Sequence, residues 1–392
     1  MKKKTVRDID DLSGKRVFVT CDFNISLADG KVTNDTRILE TLPTIRYLLT
    51  KGAKVILASH LGRPLGHDKK FSLSPVAKRL ETIAKRKVQL IDNYWKTNAL
   101  DAIAKISGQD LILLENMRFV KGEEDNDPSF SKHLASMADY FVNDAFGTSH
   151  RVHASIVGIP SYLPAYAGLL LEKEIRLISQ ALKTPIRPFV VVIGGAKTPE
   201  KIAVIERVLD IADTVILGGA IATTFLAAWG FGMGVSVVDY EMVEMARVVF
   251  WKATRKHSAL ILPLDVVISD THRKVNPKVY PYNEVPHHSA IFDIGPKTQA
   301  YFRELIMDAK TIIWNGPMGM FEDQRFKAGT DSVLFAISQS RAFSIVGGGD
   351  TLTSVSSKQY LRKISHISTG GSALLEFMEK GTLPGIEVLQ NK

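Results

Sequence analysis

The chain has 392 residues, of which 45% are hydrophobic and 23% charged, and it carries a formal net charge of +9. This composition is typical of a globular protein, and the length predicts two domains rather than one core. The positive charges are scattered, without the basic stripe and interleaved aromatic residues of a nucleic-acid-binding surface, so nucleic acid is not an expected partner.

The sequence also argues against export and against a membrane partner. Lys2–Lys4 are followed by a polar segment instead of the apolar core of a signal peptide. No apolar run reaches the roughly 18 residues of a membrane span. The single cysteine, Cys21, excludes an intrachain disulfide and is typical of a reducing compartment. We therefore expect a cytoplasmic protein.

One pattern recurs along the chain: a short apolar run ends in a polar or Gly-rich loop, and an amphipathic stretch follows. The predicted strands cover residues 17–20, 55–58, 111–114, 140–142, 190–193, 215–217, 311–314 and 343–346. Helix-like stretches such as 75–85 and 199–212 lie between them. Continuous apolar runs are typical of parallel strands buried on both faces, although they also occur in the cores of helices. The alternation predicts an α/β fold of two Rossmann-like, doubly wound domains, each a parallel sheet flanked by helices.

The loops after the N-terminal strands are rich in Arg and His. Arg pairs bidentately with carboxylate and phosphate groups, so several such residues at one sheet edge predict a site for a small, multiply charged anion. The candidates are Asp22, Asn24, Arg37, His60, Arg63, Arg118, His150, Arg151 and His153. Each of them alone could be an ordinary polar loop residue. The His-x-x-His spacing also occurs in metal sites, but this loop contains no Cys or Glu, and zinc is not expected.

The loops after the C-terminal strands are rich in glycine. Glycine lets backbone N–H groups approach a phosphate, and a helix N-terminus adds its dipole. Lys197 suits a phosphoryl group in transfer, with Lys201 one helical turn later on the same face. Asp350 and Thr351, beside a Gly-rich turn, suit Mg²⁺ near nucleotide phosphates. The chain has neither a Walker A loop nor a Gly-x-Gly-x-x-Gly fingerprint after a strand, so the usual P-loop and dinucleotide classes are excluded.

Eight collinear segments carry a family resemblance. They cover residues 22–24, 59–64, 114–119, 142–153, 194–197 with Lys201, 314–322, 347–351 and 368–371. In order and spacing these segments resemble phosphoglycerate kinase along nearly the whole chain. The resemblance implies a monomeric enzyme of glycolysis that transfers a phosphoryl group reversibly between 1,3-bisphosphoglycerate and Mg-ADP. The products would be 3-phosphoglycerate and ATP, formed after hinge closure and without a covalent enzyme intermediate.

The resemblance also implies a role for each matching residue and a division of the chain. Its 3-phosphoglycerate ligands would be Asp22, Asn24, Arg37, His60, Arg63, Arg118 and Arg151. Its nucleotide ligands would be Lys197, Lys201, Gly218, Gly219, Asn315, Glu322, Gly347, Gly348, Gly349, Asp350 and Thr351. Asp350 would hold Mg²⁺, and Arg37, Lys197 and Gly349 would be catalytic. The N-terminal domain would cover residues 1–170 with the tail 377–392 packed on it, followed by a linker helix at 171–184 and a nucleotide-binding domain at 185–376.

The chain departs from the family pattern at two functional loops. Thr20 stands where Arg is usual, and Ser372 stands where a third Gly is usual. We therefore expect an anion site that is one positive charge short, and expect Thr20→Arg to lower the KM for 3-phosphoglycerate. The alternative is a catalytically reduced homologue that serves as a binding or regulatory protein. The presence of Arg37, Lys197 and Asp350 favours the active enzyme, because these groups would stabilise the transition state.

Overall fold

The computed structural model describes residues 2–95, 99–105, 110–196, 198–354 and 358–392. The chain forms two compact units. Unit 1 comprises Met1–Arg176 and Thr382–Lys392, and unit 2 comprises Leu177–Gly381. The first boundary lies inside a single helix, Leu169–Lys183. The predicted domain limits and their functional names stay a prediction.

Unit 1 is built on a six-stranded parallel sheet. The strands of this unit are β1 (Arg16–Thr20), β2 (Leu27–Ala28), β3 (Lys31–Val32), β4 (Lys54–Ala58), β5 (Val88–Ile91), β6 (Leu111–Leu114), β7 (Tyr140–Asn143) and β8 (Ala165–Ala167). The order in the sheet is β5-β6-β4-β1-β7-β8, while β2 and β3 form a separate antiparallel pair. The helices are α1 (Thr36–Thr50), α2 (Ser74–Ala84), α3 (Ala99–Lys105), α4 (Lys121–Glu124), α5 (Pro128–Ala135) and α6 (Leu169–Lys183). The central strands are apolar and rich in β-branched residues because helices cover both faces of the sheet.

Unit 2 contains a second six-stranded parallel sheet and a smaller antiparallel one. Its strands are β9 (Phe189–Ile193), β10 (Thr214–Leu217), β11 (Ala259–Ile261), β12 (Asp265–Ser269), β13 (Lys278–Pro281), β14 (Ala290–Ile294), β15 (Thr311–Asn315), β16 (Phe343–Gly347) and β17 (His366–Ser368). The parallel sheet has the order β11-β10-β9-β15-β16-β17, and the antiparallel sheet has the order β13-β12-β14. The helices are α7 (Thr198–Val208), α8 (Gly219–Ala228), α9 (Val243–Ala253), α10 (Pro296–Asp308), α11 (Ala328–Gln339), α12 (Gly349–Ser354), α13 (Lys358–Leu361) and α14 (Ser372–Lys380).

The chain ends in unit 1 with the short helix α15 (Pro384–Glu387). Gly385 donates its N–H to Ser149 O at 2.8 Å, and Asn143 Nδ2 donates to Gly385 O at 2.8 Å. The tail therefore packs directly on the loop that follows β7. This described tail begins at Thr382, after α14 has ended in unit 2.

The predicted fold class is confirmed, and the topology explains where the loops gather. Each predicted strand forms, and most extend one residue beyond the predicted limits. The carboxyl ends of parallel strands meet at one edge of a sheet. The loops after β1, β4, β6 and β7 therefore share an edge in unit 1, and those after β10, β9, β15, β16 and β17 share an edge in unit 2.

Candidate functional site

Four arginines and one histidine, carried by three loops and one helix, converge at the sheet edge of unit 1. They are Arg37, His60, Arg63, Arg118 and Arg151, and each acts electrostatically on at least one of the others. The loop after β4 meets the loop after β7 where His60 Nε2 lies 3.5 Å from Arg151 Nη1. The structure therefore brings together the positive groups that the sequence predicts for the anion site.

These cationic groups crowd one another in a partly buried place. Burial lowers the pKa of His60 well below its ordinary value, and the charges of Arg118, Arg151 and Arg37 lower it further. Burial also lowers the pKa of Arg118, against the effect of Glu124, and the pKa of Arg151. Glu124 Oε1 lies 2.9 Å from Arg118 Nε, an ion pair without hydrogen-bond geometry. An anionic ligand would relieve this repulsion, while His60 remains neutral near pH 7.

The predicted acceptors bind protein groups in this structure. Arg37 Nη1 donates to Asp22 Oδ1 at 2.6 Å and to Asn24 O at 3.0 Å. Asn24 Oδ1 in turn accepts the Gly62 N–H at 2.9 Å, and Arg118 Nη1 donates to Gly62 O at 2.6 Å. Asp22 and Asn24 thus hold Arg37 at the start of α1, while Asn24 and Gly62 connect the loops after β1, β4 and β6.

Thr20, at the position where the family pattern has Arg, faces the protein interior. It is 3% exposed, and its Oγ1 donates to Ser155 O at 2.6 Å. Ser155 donates its N–H and its hydroxyl to the buried carboxylate of Glu123, at 3.0 and 2.6 Å. His153 Nδ1 lies 3.6 Å from the same carboxylate. This network secures the end of the loop that carries Arg151.

The glycine-rich loops of unit 2 interlock through their backbones. Gly194 donates its N–H to Asn315 O at 2.9 Å, and Gly195 donates to Pro317 O at 2.7 Å. A side chain at Gly194 would collide with Pro317 O, and one at Gly316 would collide with Gly194 O. Gly316 also has a φ of +92°, in the left-handed region that favours glycine. Close packing of the loops is therefore one reason for these glycines, besides the approach of a phosphate that the sequence predicts.

A second contact joins the neighbouring loop to the same assembly. Gly219 donates its N–H to Met318 O at 2.9 Å, and a side chain at Gly218 would collide with the Met318 sulfur. Lys201, 5% exposed, donates from Nζ to Gly194 O. The residues predicted to bind the nucleotide thus also support one another.

Two predicted nucleotide ligands are buried among these loops. Thr351 is 0% exposed; its Oγ1 accepts the Gly316 N–H at 2.7 Å and donates to Gly347 O at 2.9 Å. Asn315 is 5% exposed, and its Nδ2 donates to the same carbonyl at 3.1 Å. Both side chains secure the loop after β16, whose Gly348 has a φ of +107°.

The exposed members of the predicted nucleotide set are Glu322, Gly349 and Asp350. No atom lies within 4 Å of the position that a Cβ would take at Gly349, so this backbone faces open space. Asp350 presents a carboxylate, the ligand type that Mg²⁺ prefers. One protein carboxylate fits a cation whose other ligands are phosphate oxygens of a nucleotide. Lys197 lies outside the described residues. Among the described residues, no group of three or more His, Cys, Asp or Glu side chains is placed to hold a metal ion.

Comparisons with known proteins identify the family. The family model described as phosphoglycerate kinase matches residues 6–381. The chain is 46% identical over its full length to phosphoglycerate kinases of Dictyoglomus turgidum and Clostridium perfringens, covering 100% and 99% of those proteins. The chain belongs to the phosphoglycerate kinase family.

Solved structures of phosphoglycerate kinases support the same assignment. The one from Coxiella burnetii has a TM-score of 0.84 and 39% identity, with 98% of each chain covered. The one from Pyrococcus horikoshii has a TM-score of 0.86 and 33% identity, again with 98% of each chain covered. The predictions of phosphoglycerate kinase function in glycolysis and of small-molecule substrates are confirmed. Nothing in the comparisons favours the catalytically reduced alternative. In the part of the chain that the structure describes, no helix has the length and apolar character to cross a membrane.

Several residues that shape the site were not predicted from the sequence. Glu123, Asp144 and Asp293 are buried carboxylates beside the predicted ligand loops. In a sequence, an acidic residue within a polar segment is expected to lie at the surface, so only the structure shows that these are enclosed. The available signals were that Asp144 lies within the matching segment 142–153 and that Glu123 follows the segment 114–119.

Proposed function

We propose that the chain is an ATP:3-phosphoglycerate 1-phosphotransferase. It transfers the acyl phosphate of 1,3-bisphosphoglycerate to Mg-ADP, giving 3-phosphoglycerate and ATP, and catalyses the reverse reaction. The observation that supports this proposal is the presence, in one chain, of a crowded cationic cluster in unit 1 and of interlocked glycine loops in unit 2. A phosphorylated carboxylic acid matches the first, and a Mg-nucleotide matches the second.

In this proposal the unit 1 cluster binds the glycerate substrate. Arg63, Arg118 and Arg151 neutralise its phosphate and carboxylate groups, and this neutralisation also relieves the mutual repulsion of the three guanidinium groups. His60, whose pKa is lowered by burial and by the neighbouring arginines, contributes a neutral hydrogen-bonding ring. Arg37, oriented by Asp22, stabilises charge on the phosphoryl group in transfer.

In unit 2 the proposed ligand is the nucleotide with its Mg²⁺. Asp350 supplies a carboxylate to the cation, and the N–H of Gly349 faces the phosphates. The buried side chains of Asn315 and Thr351 keep these groups in place. Lys201 and Lys197 add positive charge, and Gly218, Gly219 and Glu322 border the nucleoside.

This division of roles suits the chemistry. An acyl phosphate is already a reactive donor, so the enzyme needs no nucleophilic side chain and no covalent intermediate. Alignment of the two substrates and neutralisation of the charge on the moving phosphoryl group are sufficient. Hinge closure, a monomeric state and a cytoplasmic location stay predictions.

Steady-state kinetics with a matched pair of variants test the proposal. Arg151→Ala should raise the KM for 3-phosphoglycerate about tenfold or more and leave the KM for Mg-ATP unchanged. Asp350→Asn should raise the KM for Mg-ATP and leave the KM for 3-phosphoglycerate unchanged, since it removes a carboxylate from the proposed Mg-nucleotide site. Lys197→Ala should abolish most of the turnover. The assay couples ATP-dependent consumption of 3-phosphoglycerate to a spectrophotometric signal, and no turnover by the unmodified protein would refute the proposal.

A further inference from the structure

Unit 2 contains a buried carboxylate that the proposed mechanism does not use. Asp293, in β14, is 2% exposed. Its Oδ1 accepts the N–H of Ile294 at 2.9 Å, and its Oδ2 accepts the N–H of Gly329, in the first turn of α11, at 2.8 Å. The two oxygens therefore have separate partners.

The same carboxylate lies against the loop that joins β15 to α11. A side chain at Gly319 or at Gly329 would collide with Asp293 Oδ1. The next residue of the loop, Met320, donates its N–H to Phe292 O at 2.7 Å. Both the loop and the start of α11 are thus held directly on β14.

From α11, a short series of contacts leads to the glycine loops. Thr330, 0% exposed and next to Gly329, accepts the Met318 N–H on its Oγ1 at 3.0 Å. Met318 O accepts the N–H of Gly219 at 2.9 Å. A displacement of the N-terminus of α11 would therefore shift Met318, and with it the loop that immediately precedes α8.

We infer that Asp293 is a positioning residue for the nucleotide: it holds the 315–322 loop and the first turn of α11 in the arrangement on which the glycine loops depend. The inference rests on the proposed function, because it assigns these loops to the nucleotide. Asp293 is buried and accepts backbone N–H groups with both carboxylate oxygens, so it acts through the loops.

Protonation of Asp293 would weaken this arrangement. Burial raises the pKa of Asp293 to about 7, against the effect of its two N–H donors, and the negative charge of Asp331 raises it further. The charged side chains on elements packed around it are Asp265, Glu322, Asp323, Arg325, Lys327 and Asp331, and α8 carries none between Gly219 and Ala228. An ionised carboxylate satisfies both N–H groups, whereas a protonated one turns one acceptor oxygen into a donor. Nucleotide affinity should therefore fall as the pH drops through about 7.

Calorimetric titration with ADP, in excess Mg²⁺, tests the inference on Asp293→Asn. The amide imitates the protonated acid in shape and in its single acceptor oxygen. At about pH 8.5 we expect ADP affinity to fall about three- to tenfold, the factor that one lost hydrogen bond can cost. At about pH 6 the variant and the unmodified protein should bind ADP equally, because the wild-type carboxyl is then protonated. Affinity for 3-phosphoglycerate and the thermal midpoint should not fall, which separates positioning from a general loss of structure.

Asp144→Asn is the matched control, because Asp144 is a buried aspartate in unit 1 whose pKa is also raised to about 7. It should keep the wild-type ADP affinity at both pH values. Protonation of ADP itself is common to all three proteins and cancels in the comparison. An Asp293→Asn variant with wild-type ADP affinity at both pH values, or with weakened binding of both substrates, would overturn the inference. No ADP binding by the unmodified protein would refute the proposed function and this inference with it.

Hydrogen exchange of the unmodified protein gives a second test that needs no variant to fold. In local openings that break its two N–H bonds but leave Asp293 buried, the ionised carboxylate favours the closed loop. Peptides covering residues 315–330 should therefore become more protected as the pH rises through about 7, after correction for intrinsic exchange rates. Peptides covering β9 serve as the reference within the same unit. Equal protection of the 315–330 peptides on both sides of pH 7 would contradict the role assigned to Asp293.

Discussion

Asp144 allows a quantitative prediction about stability. It is 0% exposed, and its Oδ1 accepts the N–H groups of Leu170 and Leu171, at 2.9 and 3.3 Å, in the first turn of α6. Burial raises its pKa from 3.8 to about 7, although the side chain of Thr44 and the two N–H groups lower it. Within the described part of the chain, Asp144 Oδ2 has no donor in good hydrogen-bond geometry. In Asp144→Asn, Oδ1 can keep both N–H bonds, and the new amide group can face Thr44.

The sign and size of the effect follow from linkage. Between pH 3.8 and about 7 the folded protein holds a proton on Asp144 that the unfolded chain has released, so this residue makes stability fall as the pH rises. The slope is about 1.4 kcal/mol per pH unit, and it levels off above pH 7. From about pH 5 to about pH 8 the loss is about 2 to 3 kcal/mol. Asp144→Asn escapes this loss, so its free energy of unfolding should rise by that amount relative to wild type over the same interval.

The stability of unit 1 can be measured separately from that of unit 2 by unfolding the protein in urea and monitoring hydrogen exchange in peptides that cover β1 and β7. The informative quantity is the difference between Asp144→Asn and wild type at each pH, because the other titrating groups cancel. A difference that stays constant from about pH 5 to about pH 8 would show that Asp144 does not titrate there, and would refute the reasoning.

Three further predictions concern the loops. Gly316→Ala should lower the thermal midpoint and reduce the free energy of unfolding by about 1–3 kcal/mol, because φ is +92° and the methyl group would collide with Gly194 O. Gly349→Ala is the control, because its methyl group meets open space, and equal midpoints of the two variants would contradict the packing argument. Thr20→Val should destabilise unit 1 by about 1–3 kcal/mol, because it removes the donor to Ser155 O, while Thr20→Ser keeps this donor and should not destabilise the unit. Thr20→Arg must place a long cation at this buried position, so we expect lower stability rather than a simple gain in affinity for 3-phosphoglycerate. Above about pH 6.5, His60→Gln should show the same pH dependence of the KM for 3-phosphoglycerate as the wild type, because the pKa of His60 is lowered and the ring is already neutral there. Loss of this pH dependence in the variant would show that His60 titrates in this range.

The secondary structure was predictable where burial imposes a simple pattern. Strands such as β1 and β9 are continuous apolar runs because helices cover both faces of the sheet. The sequence did not reveal β17, which is short and begins with His366, or the antiparallel β12–β14 sheet, whose strands are partly exposed. The predicted helix at 199–212 instead ends at Val208. In these segments local composition carries little information, and pairing with distant strands decides the structure.

The candidate site divides in the same way. Convergence of the arginine loops was predictable, because parallel strands bring their carboxyl ends to one edge. The contacts between these loops were not. Arg37 pairs with Asp22, and Thr351 is buried against Gly316, through approaches between residues far apart in the sequence. Only the folded chain shows that the residues predicted to bind ligands also hold one another.

Asp144 and Asp293 suggest why the two units tolerate costly buried carboxylates. Asp144 accepts two N–H groups in the first turn of α6, and Asp293 accepts one in the first turn of α11. Each lies beside a predicted ligand loop. For each residue, burial favours the protonated form, while the helix dipole and the N–H donors favour the ionised one. Acidification through about pH 7 should therefore stabilise both units against global unfolding, in which the two carboxyl groups become exposed. Protonation of the still-buried Asp293 should at the same time weaken its two N–H bonds, so that stability and ADP affinity change in opposite directions. In wild-type protein, a thermal midpoint and an ADP affinity that both rise from about pH 8 to about pH 6 would contradict this account.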